Sequence, residues 1–234
     1  MVDDHALRRA LTQYVRTTLG TYSIGETLYR LTDLVVEVIG CDGAGVSVGD
    51  AEGRLRFVTA TDAFVVPAEE AQVRTQDGPC YEAFTTAKVV TAEDLAAEGD
   101  RWPKYSDTAL ASGSRAVMGV PMGVEDASIG AVNLYHRRPH IWTDQELEAA
   151  GLLSDMAAGY IANLRTLEGS QRLSVQLQQA LDSRVVIEQA KGIIAARHEL
   201  DVATAFQRLR RMARDRQCRI HDVARDVVDQ RLEL

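Results

Sequence analysis

The 234 residues carry 46% hydrophobic and 26% charged side chains, proportions that exclude fibrous, low-complexity and intrinsically disordered classes. The length suits one large domain or two small ones with a sizeable core. The net charge of −8 conceals a division: residues 1–170 hold 14 Lys+Arg against 25 Asp+Glu, residues 171–234 hold 12 against 9, so two parts with separate tasks are expected.

The N-terminus has no continuous apolar run, and no stretch approaches the ~20 apolar residues needed to span a bilayer. A cytoplasmic protein with no membrane partner is expected. The three cysteines, Cys41, Cys80 and Cys218, are far apart and odd in number, without a C-x-x-C pair. They argue against a disulfide framework or a thiolate zinc site.

In chain order, Leu7, Leu11, Tyr14, Val15 and Leu19 fall near one face of a helix over 3–19, and a second amphipathic helix over 24–39 ends at Gly40. The pattern then changes to alternation in GAGVSVGD (43–50) and RLRFVTAT (54–61), a hairpin signal around the intervening AEG. GAGVSVG has the wrong spacing and context for a phosphate-binding loop, which needs a helix N-terminus directly after it. Further strands are expected in AKVVTAEDL (87–95), SRAVMGVPMGV (114–124) and SIGAVNLYH (128–136), with helical segments in PCYEAFTT (79–86) and YSDTALASG (105–113). Thr143 and Glu146 stand in capping-box register at the head of a long striped helix beginning at WTDQELEAA. The order fits an α+β domain, with helices packed on an antiparallel sheet.

From 161 to 183, Leu164, Leu167, Leu173, Leu177 and Leu181 recur in a Gln-rich sequence that only Gly169 weakens. A single exposed helix cannot satisfy such a stripe, so a parallel coiled coil and a homodimer are expected. From 184 onward the periodicity predicts three short helices. The first buries Val186, Ala190, Ile193 and Ile194 and places Arg184, Glu188 and Lys191 in solvent, with Gly192 beside Lys191. The second, capped by Asp201, buries Ala205, Phe206, Leu209, Met212 and Ala213 and carries Arg208, Arg211 and Arg214 outside, with Arg210 on the flank. The third buries Ile220, Val223, Ala224, Val227 and Val228.

Glycine inside a helix costs about 1 kcal/mol relative to alanine, so Gly192 suggests close approach by another molecule. RLRRMARDRQCR (208–219) sets six arginines against one aspartate. A polyanion is the natural partner of such a patch.

Residues 183–229 closely resemble the ANTAR domain, an RNA-binding antitermination module. The likeness rests on Ala190-Lys191-Gly192, Ala205-Phe206, Leu209-Arg210, Ala213 and Asp222-Val223-Ala224, in the family's order and spacing. It implies a dimer that binds tandem RNA stem-loops, so that a competing terminator does not form. Residues 22–164 resemble a GAF domain, of the kind found ahead of ANTAR modules in actinobacteria, through GPCYEAF (78–84), RWPKYSDTALASGSRAVMGVPM (101–122), IGAVNLYH (129–136) and WTDQELEAA (142–150). The implied fold is a GAF-like antiparallel sheet with packed helices, joined by a coiled-coil helix to an all-α three-helix bundle. The implied division is an N-terminal helix (1–21), a sensor (22–164), a coiled-coil linker (165–175) and an RNA-binding domain (176–234). GAF domains take small molecules of many kinds; the NKFDE-type residues of cyclic-nucleotide binders are absent, and cyclic GMP, bilin and haem are disfavoured.

No H-E-x-x-H, nucleophile elbow or Walker loop occurs, so no enzymatic activity is expected. HRRPH (136–140) places His136 and His140 four apart, but Pro139 breaks a common helical face and no neighbouring Cys or carboxylate completes a set, so no metal is expected. Cys80 opens a helix, where the dipole favours a thiolate, although a buried packing cysteine is the commoner outcome. Cys80, Tyr81, Trp102, Tyr105 and Tyr135 are the candidate sensor-pocket residues. Arg184, Lys191, Gly192, Arg210, Arg211 and Arg214 are the candidate RNA-binding residues. Two alternatives stand beside this reading: a DNA-binding regulator, weakened by the aspartates that the third helix exposes, and a ligand or redox sensor whose bundle only dimerises.

Overall fold

The alternation in GAGVSVG builds a strand in the interior of a sheet. In the computed structural model, β1 (Gly43–Gly49) lies between β2 (Leu55–Ala60) and β5 (Ala127–His136), and β4 (Ala116–Val124) and β3 (Val90–Ala92) extend the sheet in the order β2-β1-β5-β4-β3. Every pairing is antiparallel. The structure describes residues 24–50, 52–99, 101–124, 127–168 and 170–229 with a few of the first twelve; at 124, 127 and 163–182 it describes the backbone alone. The chain divides into two compact units, Met1–Leu177 and Gln178–Leu234.

In the first unit, α1 (Ile24–Ile39) ends at Gly40, whose φ of 76° suits a residue without Cβ. It packs on α5 (Asp144–Glu168) and the sheet. The capping box forms at α5: the Thr143 N–H donates to Glu146 Oε2 at 2.8 Å and the Glu146 N–H to Thr143 Oγ1 at 3.3 Å. Three helices, α2 (Val65–Thr75), α3 (Pro79–Thr86) and α4 (Pro103–Ala111), cover the other side of the core. Helix α2 has no counterpart among the sequence expectations, because two of its buried positions are Glu69 and Gln72 and break the apolar stripe. The third strand is shorter than expected, only Val90–Ala92.

Glycines set how closely the helices approach. In the register, Asn133 of β5 stands between Gly45 on β1 and Gly119 on β4. A Cβ on Gly45 would lie 2.5 Å from Glu69 Oε1, and one on Gly119 would lie 2.8 Å from the Pro79 carbonyl oxygen. Missing side chains on the sheet thus admit a carboxyl from α2 and the first turn of α3.

In the second unit, the expected first short helix is part of a long one: α6 (Ser170–His198) is continuous. It is followed by α7 (Val202–Asp215) and α8 (Ile220–Val228). Asp201 caps α7, accepting from the Thr204 N–H at 2.8 Å. The leucine stripe from Leu164 to Leu181, Gly169 and most of the expected N-terminal helix lie outside the described residues or side chains.

Candidate functional site

The interior of the first unit is organised around one carboxyl. Glu69 is wholly buried. Asn133 Nδ2 donates to its Oε1 at 2.7 Å, the Tyr135 hydroxyl to the same oxygen at 2.8 Å, and the Ser47 hydroxyl to Oε2 at 3.1 Å. Gln72 extends the network, donating from Nε2 to the Tyr135 hydroxyl at 3.2 Å and accepting the Cys80 N–H on Oε1 at 2.6 Å. Burial lifts Glu69 to about 7 against the pull of its three donors. Loss of solvent outweighs hydrogen bonding, so this carboxyl changes charge near neutral pH.

The candidate pocket residues lie in the hydrophobic core of the first unit. Cys80, Trp102, Tyr105 and Tyr135 share one buried cluster, with Tyr81 packed half-buried against it. Trp102 and Tyr105 meet edge to face, their ring centres 6.3 Å apart. Cys80 takes the commoner of its two expected outcomes, a buried packing cysteine. The residue opens α3, but burial and the nearby Glu69 drive its pKa well above the ordinary range, and hydrogen bonding with Asn133 and Ser47 does not compensate. Ser47, Glu69, Gln72 and Asn133 were not among the candidates. Polar residues recurring at helical spacing (Glu69, Gln72) and at strand spacing (Asn133, Tyr135), with Ser47 two residues from Gly45, were the available signal.

A second polar cluster joins the end of β5 to the head of α5. His140 Nε2 lies 3.0 and 3.2 Å from the two Glu146 oxygens, the His136 and His140 rings lie 4.0 Å apart, and Asp42 Oδ2 is 3.4 Å from His136 Nδ1. The expectation that no carboxylate neighbours this histidine pair is corrected. The chain bends at Arg137 and Arg138 after β5, and His140 meets the Glu146 of the capping box.

In the second unit, the buried stripe of α6 is Ile187, Ala190, Lys191 and Ile194, with Val186 and Ile193 only half-buried. Lys191 was expected in solvent and is 9% exposed; Arg210, expected on a flank, is 5% exposed. One aromatic ring accounts for both. Lys191 Nζ lies 4.7 Å from the centre of Phe206 and the Arg210 guanidinium 4.8 Å, so the ring's negative face replaces part of their water. Glu188 accepts from Lys191 at 2.9 Å on both oxygens. Ser183 meets His221 of α8 at 3.0 Å.

The other candidates lie further out. Arg211 and Arg214 are exposed, Arg208 and Arg184 half-buried. Gly192 is exposed, and a Cβ there would meet nothing within 4 Å. Internal packing therefore does not require this glycine. By helix geometry, Arg184 precedes Lys191 by two turns and Arg214 follows Arg210 by one, so both extend the α6–α7 seam that Phe206 marks.

The family models assign both parts. The GAF domain matches residues 23–161 and the ANTAR domain matches residues 175–228. Solved structures repeat the first fold. A domain of a two-component sensor histidine kinase protein from Sinorhizobium meliloti superposes with a TM-score of 0.53 at 20% identity, covering 62% of this chain and 94% of that one. The GAF domain of a phosphoenolpyruvate-protein phosphotransferase from Coxiella burnetii gives 0.55 at 12% identity, covering 71% and 98%. Free methionine-R-sulfoxide reductase from Neisseria meningitidis, solved with its substrate, gives 0.54 at 17% identity, covering 71% and 96%. At such identities the likeness speaks for the fold alone. No curated protein sequence matches the chain significantly.

Proposed function

This chain belongs to the GAF family and carries an ANTAR domain, an RNA-binding antitermination module, behind its sensor; from that premise we propose a regulator whose GAF signal controls the grip of a dimer on tandem RNA stem-loops. The observation that carries the RNA side is the pairing of an open glycine with exposed cations. Gly192 leaves bare helix backbone at the surface of α6 with no packing reason for it, and Arg211 and Arg214 stand exposed on α7. Phosphates position an RNA, and unstacked loop bases are then read by contact with side chains.

The burial of Lys191 and Arg210 divides the labour. Arg184, Arg211 and Arg214 contact phosphate, Gly192 admits the RNA, and Lys191 and Arg210 fix the Phe206 seam as positioning residues. The leucine-rich helix between the domains supplies the dimer contact, and the signal is a small molecule taken by the sensor and passed on by biasing an existing equilibrium. The protein acts in the cytoplasm. No helix among the described residues is long and apolar enough to cross a membrane.

The test is Gly192→Ala, measured for stability and for affinity to a tandem stem-loop RNA. A methyl there meets no protein atom and removes a poor helix former, so the variant gains up to about 1 kcal/mol of stability. If RNA approaches the bare backbone, affinity nevertheless falls at least tenfold. Affinity unchanged in the stabilised variant overturns the assignment, and tighter binding to duplex DNA than to the stem-loops transfers the domain to the DNA-binding reading.

A further inference from the structure

The cluster at the end of β5 has the composition and arrangement of a cation site. The candidate ligand atoms of His136, His140 and Glu146 all lie within 4.8 Å of one another. Two imidazole nitrogens and a carboxylate oxygen form a donor set suited to zinc and its first-row neighbours; calcium and magnesium prefer oxygen alone. The three residues come from a strand end, a loop and a helix head, so the fold places them together without a sequence motif.

The second observation is an atom without a partner. His136 Nδ1 faces the Asp42 carboxylate at 3.4 Å, and its other ring nitrogen, Nε2, is buried with no hydrogen-bond partner. A neutral ring donating from Nδ1 to a carboxylate keeps its lone pair on Nε2, and carboxylate-oriented histidines of this kind are the usual metal ligands. A buried nitrogen left unsatisfied is otherwise unfavourable. Glu146 is oriented as well, since the Thr143 N–H and hydroxyl both donate to its Oε2, at 2.8 and 2.9 Å. Oε1, 3.0 Å from His140 Nε2, is the oxygen free of Thr143. The neighbouring cation is turned elsewhere: the Arg137 guanidinium lies 3.9 Å over the Phe64 ring and 3.6 Å from Asp62.

We propose that His136, His140 and Glu146 bind one divalent transition metal of the zinc class, with Asp42 and Thr143 orienting two of the ligands. Tetrahedral donors around zinc lie roughly 3.3 Å apart, given bonds of about 2.0–2.2 Å. His140 Nε2 and Glu146 Oε1, 3.0 Å apart, already stand near that spacing, and the whole set lies within 4.8 Å. Its side chain is 29% exposed, which leaves the ion a route in and room for a water as fourth ligand. Because Glu146 caps α5, the metal would lock the end of the sheet to the head of that helix. The proposal concerns the sensor and stands whether or not the ANTAR domain binds stem-loops.

The test adds Co(II), then Zn(II), to the metal-stripped full chain. The expected result is one Co(II) per chain with the intense visible bands of tetrahedral nitrogen and oxygen coordination, displaced by Zn(II). His140→Ala weakens binding at least tenfold, and Glu146→Gln, which retains the helix cap, does the same; circular dichroism confirms that both variants are folded. No saturable uptake overturns the proposal. So does uptake that persists unchanged in His140→Ala and Glu146→Gln, which would place the ion on the exposed Cys218 or another surface group.

Discussion

The two units bury ionisable groups by opposite means. In the GAF interior, Glu69 is surrounded by three hydrogen-bond donors and remains one proton away from neutrality near pH 7. In the ANTAR bundle, Lys191 and Arg210 are covered by the face of Phe206, and a guanidinium does not discharge under any ordinary condition. A buried carboxyl can abandon its charge when solvation fails, whereas a buried arginine must be compensated permanently. The first unit thus buries a group that can take up a proton, and the second a guanidinium whose charge stays.

The sharpest way to separate the two is Phe206→Ala. It removes a ring that is 7% exposed and the support of two cations, so the bundle loses about 3–5 kcal/mol, read as protection of α7 amides in hydrogen exchange. The GAF domain is expected to keep its stability. Both tryptophans, Trp102 and Trp142, lie in that domain, so fluorescence in urea follows it separately.

Glu69→Gln acts on the other side of the comparison. The folded chain holds this proton up to about pH 7, against 4.5 for an unperturbed glutamate. Its contribution is fully present below pH 4.5 and is lost as pH rises through 7. The glutamine variant keeps the neutral shape and is expected to flatten that decline, gaining about 2–3 kcal/mol over the parent at pH 8 and little at pH 5. An undiminished slope in urea midpoint against pH means the carboxyl is not the group responsible. A smaller effect is expected at the cap: Thr143→Ala removes the hydroxyl partner of Glu146 and weakens α5 by about 1 kcal/mol, visible as a lower fluorescence midpoint.

Much of this was legible in the sequence. Alternation identified β1, the Thr143–Glu146 register identified the start of α5, and Asp201 identified the start of α7. Hydrophobic periodicity has no way to report a polar residue used as core. It passed over α2, where Glu69 and Gln72 occupy buried positions, and it put Lys191 in solvent although that residue occupies a buried α6 position facing Phe206. The histidine pair was discounted because the carboxylates that face it, Glu146 and Asp42, lie on other elements. Local sequence carries no signal for a contact that only the assembled sheet creates.

The central claim is that exposed arginines of the bundle grip RNA through its phosphates, and its most direct test is the salt dependence of stem-loop binding by the full chain and by Arg211→Ala/Arg214→Ala. Two lost phosphate contacts are expected to weaken binding at least tenfold in dilute buffer and to reduce the slope of log affinity against log salt by roughly one to two. Equal affinity and an equal slope in parent and variant would contradict the account.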